Sequence, residues 1–158
     1  MSEEKNLEGL GGWLILVAIG ILASPIRIGA QLYPIYSEIF STGAWEALTT
    51  PGSETYNSLW APILIGEITI NGGLILAWLF LAFLFFFKKK IFPKCYIGIL
   101  LFTLVFVLVD AFVVKLIIPD DPVFDADTIQ ELSRALIATV IWVPYMIISK
   151  RVKLTFTK

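Results

Sequence analysis

The sequence predicts an all-α integral membrane protein, a single domain over 1–158 built as a bundle of four transmembrane helices. Three observations carry that expectation. Hydrophobic residues make up 58% of the chain and charged residues 16%, and the mean hydropathy is +0.84. A soluble domain of this size exposes too much surface for so few polar groups. Four apolar runs approach or exceed the roughly 20 residues that a helix needs to cross a bilayer. Basic and acidic residues are segregated between those runs, although the net charge is only −1. The 12 Phe, 5 Trp and 5 Tyr suit a lipid-facing exterior with interfacial anchors.

Met1 to Glu8 is acidic and lacks the basic start of a signal peptide. The first run also contains Pro25 and Arg27, so it reads as a retained helix. "GLGG", Gly9 to Gly12, follows no strand and lacks the lysine and hydroxyl of a phosphate loop; it reads as a tight entry to the membrane. The first span is placed at 11–31. Pro25 removes the hydrogen bond to the Ile21 carbonyl and predicts a kink. The connection from Gln31 to Ala61 has Tyr36, Ile39, Phe40, Trp45 and Leu48 at near-helical spacing. The stretch "YPIYSEIFSTGAWEAL" that holds them is either a short amphipathic helix on the outer leaflet or an ordered loop with aromatic anchors. "TTPGSE" after it is a turn.

The second span is placed at 62–87, with Pro62 at its start. Pro93 can open the third, at 96–118, in the same way. "DDPVFDAD", Asp120 to Asp127, does not have the spacing of an EF-hand and reads as a solvated acidic loop. Asp127 or Thr128 is expected to cap the last helix, with Glu131 in its first turn. The fourth span is placed at 132–148, and Pro144 predicts a second kink by freeing the Val140 carbonyl. "SKRVKLTFTK", Ser149 to Lys158, alternates basic and apolar residues. It can rest on anionic lipid or serve only to stop transfer.

Orientation follows from lysine and arginine. Lys88, Lys89, Lys90 and Lys94 lie between the second and third spans, and Lys150, Arg151, Lys153 and Lys158 after the fourth. The other two connections are acidic. The positive-inside rule then puts both termini and the basic anchor in the cytoplasm.

Arg27, Glu67, Asp110, Lys115 and Arg134 fall within or at the edges of the spans, all in the outer half. Helical spacing puts Trp13, Gly20, Ser24, Arg27 and Gln31 on one face of the first helix. Trp60, Glu67, Asn71 and Trp78 share a face of the second, Tyr96, Thr103 and Asp110 of the third, and Arg134, Ala138, Ile141, Tyr145 and Ser149 of the fourth. Bundles turn such polar stripes inward. Arg27, Glu67, Asn71, Asp110 and Arg134 therefore form a candidate intramembrane cluster. Arg27 is expected to pair with Glu67, Asp110 or both, with Arg134 above them. Gly20 with Ser24, and Gly73 with Ala77, are small-residue pairs that would let helices approach closely.

The chain has no histidine, the commonest general base and metal ligand. The lone Cys95 excludes an intramolecular disulfide and a multi-cysteine metal site; beside Lys94 it is only a weak acylation candidate. No residues resemble a catalytic triad. No catalytic residue, metal site or cofactor is expected, and nucleic acid is not an expected partner.

"LEGLGGWLIL", Leu7 to Leu16, and "WVPYMIISKRVKLTF", Trp142 to Phe156, resemble the two ends of a bacterial four-span membrane family catalogued as domain of unknown function 2569. The resemblance implies a bacterial or archaeal inner-membrane protein and carries no activity. The first expectation is a non-enzymatic protein that acts through a membrane-protein partner or as a homo-oligomer, its charges architectural. The alternative is a small transporter or channel-like protein with an outward-facing charged cavity.

Overall fold

Apolar chain in lipid must be helical, because no water is present to bond a bare N–H or C=O. The computed structural model describes residues 9–119 and 122–158. Its helices are α1 (Trp13–Ser41), α2 (Ala44–Thr49), α3 (Trp60–Phe86), α4 (Phe92–Val114), α5 (Ala126–Ile148) and α6 (Lys150–Thr155). Four of them, α1, α3, α4 and α5, are long and apolar enough to cross a membrane. The acidic N-terminal stretch and Asp120 and Asp121 of the acidic connection lie outside the described residues.

Helix ends differ from the sequence expectation in informative ways. The first helix runs on past Gln31 to Ser41, through Pro34 as well as Pro25. Tyr36, Ile39 and Phe40 therefore belong to α1, and only Ala44–Thr49 forms a separate short helix. The extension is held by side chains: Tyr36 stacks on Phe40 at 6.5 Å, and Phe40 meets Trp45 at 5.3 Å. It stops at Thr42, before Gly43 turns the chain with φ +80. Helix α5 starts at Ala126, well before Leu132. Its cap is Asp125, not Asp127 or Thr128: Asp125 Oδ1 accepts the Thr128 N–H at 2.7 Å. Asp127 instead occupies the first turn, where the helix dipole favours a carboxylate. The third span begins at Phe92 with Pro93 in its first turn and ends at Val114, short of Ile118.

The Thr128 backbone N–H holds the Asp125 carboxyl below the usual carboxylate range. The cap is therefore intact above that range and is lost as pH falls through the lowered value. Asp125→Ala is expected to fray the first turn of α5 at neutral pH. The readout is faster amide exchange at Thr128, and only acid below the usual carboxylate range should bring the wild type toward the same rate.

Helix α1 packs along α3, α4 along α5, and α3 along α4. Helices α1 and α5 meet through side chains: Trp13 contacts Trp142 edge-on at 6.1 Å near one end, and Gln31 reaches Glu131 near the other. The two halves of the bundle differ. Leu14, Val17, Ile21, Trp78, Leu81, Phe85, Phe92, Tyr96, Leu100 and Met146 form a buried core toward the basic end. The half toward the acidic connections is open inside.

The carboxy-terminal segment completes the closed end. It does not lie out along lipid. It turns at Ser149, whose Oγ accepts the Val152 N–H, and forms α6. Val152, Thr155 and Phe156 are buried because they share one helical face. Phe156 stacks on Phe92 at 4.5 Å and touches Phe85 at 5.6 Å. Thr155 Oγ1 accepts the Gly9 N–H at 3.1 Å and donates to the Gly9 carbonyl at 3.2 Å. Lys158 and the turn residues Lys88 and Lys90 exchange backbone bonds, at 2.6 Å from Lys90 N and 3.2 Å to the Lys88 carbonyl. The expected tight entry also has a specific cause: a Cβ on Gly11 would sit 3.0 Å from the Arg151 guanidinium. Lys88, Lys89, Lys90, Lys150, Arg151 and Lys153 thus gather at this one end.

Candidate functional site

The polar stripes of the four long helices converge on one cavity of about 610 Å³. Ser24, Arg27 and Gln31 reach it from α1, Glu67, Asn71 and Trp78 from α3, Tyr96, Thr103 and Asp110 from α4, and Arg134, Ala138 and Trp142 from α5. Spacings of three, four and seven keep each set on one helix face. All five residues of the expected cluster therefore line one space. Trp13, Gly20, Trp60, Ile141, Tyr145 and Ser149 share those stripes but do not line it.

The lining is graded with depth. Helical rise puts Asp110 ~6 Å from the Val114 end of α4, Glu67 ~10 Å from the start of α3 and Arg134 ~12 Å from the start of α5. Asn71, Ser24 and Thr103 lie deeper. Trp78 and Tyr96, edge to face at 6.0 Å, floor the cavity with Leu100 and Trp142. Below that floor come Leu81 and Phe85, both 0% exposed.

The expected pairing of Arg27 with Glu67 or Asp110 is not made. Arg27 Nη1 donates to Gln31 Oε1 at 3.0 Å, one turn along its own helix, and Gln31 Nε2 donates to Glu131 Oε1 at 3.1 Å. A neutral amide thus stands between the arginine and a carboxylate on α5. Glu67 Oε2 instead accepts the Tyr36 hydroxyl at 3.3 Å, and the Glu67 backbone carbonyl accepts Asn71 Nδ2 at 3.0 Å. The Glu67 and Asp110 carboxyls are within hydrogen-bonding reach of each other, and Glu131 acts electrostatically on Asp110. Side-chain reach decides the matter. An extended Arg27 finds an acceptor one turn away on its own helix, without crossing the cavity.

Tyr36, Asp127, Thr128 and Glu131 are functional candidates that sequence reasoning placed outside the spans and outside the expected cluster. Their signal is present once the helix ends are known. With α5 starting at Ala126, Glu131, Arg134 and Ala138 fall at spacings of three and four on one face. With α1 continuing through Pro34, Tyr36 becomes a helical residue able to reach Glu67.

The sequence model of the family described as Protein of unknown function (DUF2569) matches residues 7–157. The chain belongs to the DUF2569 family. No curated protein and no solved structure matches it.

In this DUF2569 chain the match spans the middle helices as well as the two ends that carry the resemblance. Pro25 and Pro144 lie inside α1 and α5, and both helices continue through them. The small-residue pairs do not bring helices together: a Cβ at Gly20 or Gly73 would meet nothing within 4 Å. Leu14, Val17 and Ile21 supply the α1 contacts instead, and the Ser24 hydroxyl turns back to the Gly20 carbonyl at 2.7 Å. Lys115 lies beyond the end of α4 and does not line the cavity. Cys95 packs partly buried beside the core. Among the described residues no three His, Cys, Asp or Glu side chains are grouped to hold a metal ion.

Proposed function

We propose that this multi-pass membrane protein binds a solute in the cavity between its four long helices and acts as a small transporter-like protein, without covalent chemistry. In this reading both termini and the basic turn are cytoplasmic, the membrane is the bacterial inner membrane, and the cavity opens outward. One observation carries it: polar stripes from all four helices meet around a space of small-molecule size, closed at the basic end by a packed core. An architectural role for the charges would be supported by a direct Arg27 bond to Glu67 or Asp110. Arg27 bonds Gln31 instead. Association with a membrane-protein partner or a second copy would use the lipid-facing exterior and leaves the cavity free.

The test is thiol accessibility in sealed vesicles. Thr103→Cys, in a Cys95→Ala background, places a thiol inside the cavity, and Lys89→Cys places one at the basic turn. A membrane-impermeant maleimide is expected to label the Thr103 position only from the outside and the Lys89 position only from the cytoplasmic side. No labelling at the Thr103 position from either side would refute a solute-accessible cavity. Reversed sidedness at both positions would refute the orientation.

A further inference from the structure

We infer that the ligand of this cavity is a small zwitterion with an apolar body, of the amino-acid type; the inference rests on the solute-binding reading above. The cavity wall carries both signs of charge, and they do not neutralise each other. Glu67 and Asp110 stand together, with the Tyr36 hydroxyl on one and the Glu131 carboxylate near the other. Two carboxyls side by side are costly until a proton or a cation joins them. Arg134 lines the same cavity at a similar depth and makes no hydrogen bond or ion pair within the described residues. Arg27 gives one N–H to the neutral Gln31 amide and keeps its positive charge on the same wall.

A ligand of one sign satisfies only one of these groups. An anion meets Arg134 but adds a further acidic group to Glu67, Asp110 and Glu131. A simple cation answers the carboxyls and leaves the guanidinium without an acceptor. An ammonium at Glu67 and Asp110, with a carboxylate or comparable anion at Arg134, answers both with charge-assisted hydrogen bonds. The volume of about 610 Å³ is far more than a bare ion needs and falls in the range of small-molecule sites. The floor gives the apolar body its place. Trp78 and Tyr96 offer aromatic surface below the charged belt, and aromatic faces hold apolar groups and tolerate a nearby ammonium.

The experiment compares three probes with one body and different charge: phenylalanine, phenethylamine and 3-phenylpropionate. Each is titrated into the full chain in lipid nanodiscs, read by tryptophan fluorescence and by thermal stabilisation. Phenylalanine is expected to bind at least about tenfold more tightly than either singly charged analogue, the size of one charge-assisted bond. Arg134→Gln is expected to remove its advantage over phenethylamine. If phenethylamine or 3-phenylpropionate binds the wild type as tightly as phenylalanine, the zwitterion assignment is overturned and the cavity reading stands. If none of the three binds, the zwitterion assignment is overturned, and the labelling of the Thr103→Cys thiol decides the cavity reading separately. The wild-type comparison does not depend on any variant folding.

Discussion

Phe156→Ala is expected to destabilise the protein by about 3–5 kcal/mol, as deletion of a buried aromatic side chain does. Phe156 is 4% exposed and sits against Phe92 and Phe85, so truncation removes one member of a three-ring stack at the closed end. The neighbours cannot easily collapse into the gap. Phe85 and Phe92 are fixed on two long helices joined by a short turn, and that turn is itself bonded to Lys158. The measurement is denaturant or thermal unfolding in mild detergent. Phe80→Ala is the control: Phe80 is 53% exposed on the outer side of α3 and is expected to cost far less. Equal losses in the two variants would show that the tail does not belong to the core.

Trp78→Ala is expected to cost a similar ~3–5 kcal/mol and to change the cavity as well. Trp78 is 7% exposed and is both part of the core and the roof of Leu81 and Phe85. Removing the indole deepens the cavity toward the basic end. Tyr96 also loses its edge-to-face partner at 6.0 Å, a contact worth ~0.5–1.5 kcal/mol beyond area. The stability loss is read as for Phe156. The change in the cavity is read as altered maleimide labelling of the Thr103→Cys thiol when Trp78→Ala is added. Trp78→Phe should recover much of the stability by refilling most of the space. A variant that unfolds normally yet labels as the parent does would show that Trp78 is not the floor.

The parts of this architecture legible in the sequence are those set by a repeated pattern. Spans appear because lipid demands long apolar helices, and the inward faces appear because Glu67, Asn71 and Trp78, or Tyr96, Thr103 and Asp110, recur at helical intervals. Those faces do converge on one space. The parts that were not legible depend on local chemistry that hydropathy does not measure. Hydropathy reports bilayer thickness rather than helix length, so α1 was expected to stop near Gln31 although its backbone continues through Pro34. The start of α5 was set by the Asp125 cap, not by the first apolar residue. Basic and apolar residues alternate along the tail with a period of two, which predicts no buried face. Val152, Thr155 and Phe156 follow the helical period, which is the one that buries them. The choice of partner for Arg27 was beyond any argument from depth and face, since Gln31 and Glu67 both satisfy those criteria. Side-chain reach separates them.

The unequal heights of the helices have a consequence for the membrane itself. Helix α1 has 29 residues and α3 has 27, whereas α4 and α5 have 23 each. At 1.5 Å per residue the first pair exceeds the second by ~6–9 Å. All four begin or end together at the basic turn and tail, so the excess stands at the opposite side. The mouth of the cavity therefore has a tall wall and a low one. In a thick bilayer the low rim sinks among the headgroups, and in a thin one it stands in water. In the solute-binding reading proposed above, bilayer thickness would then set whether a solute reaches the cavity through the aqueous phase or along the membrane plane.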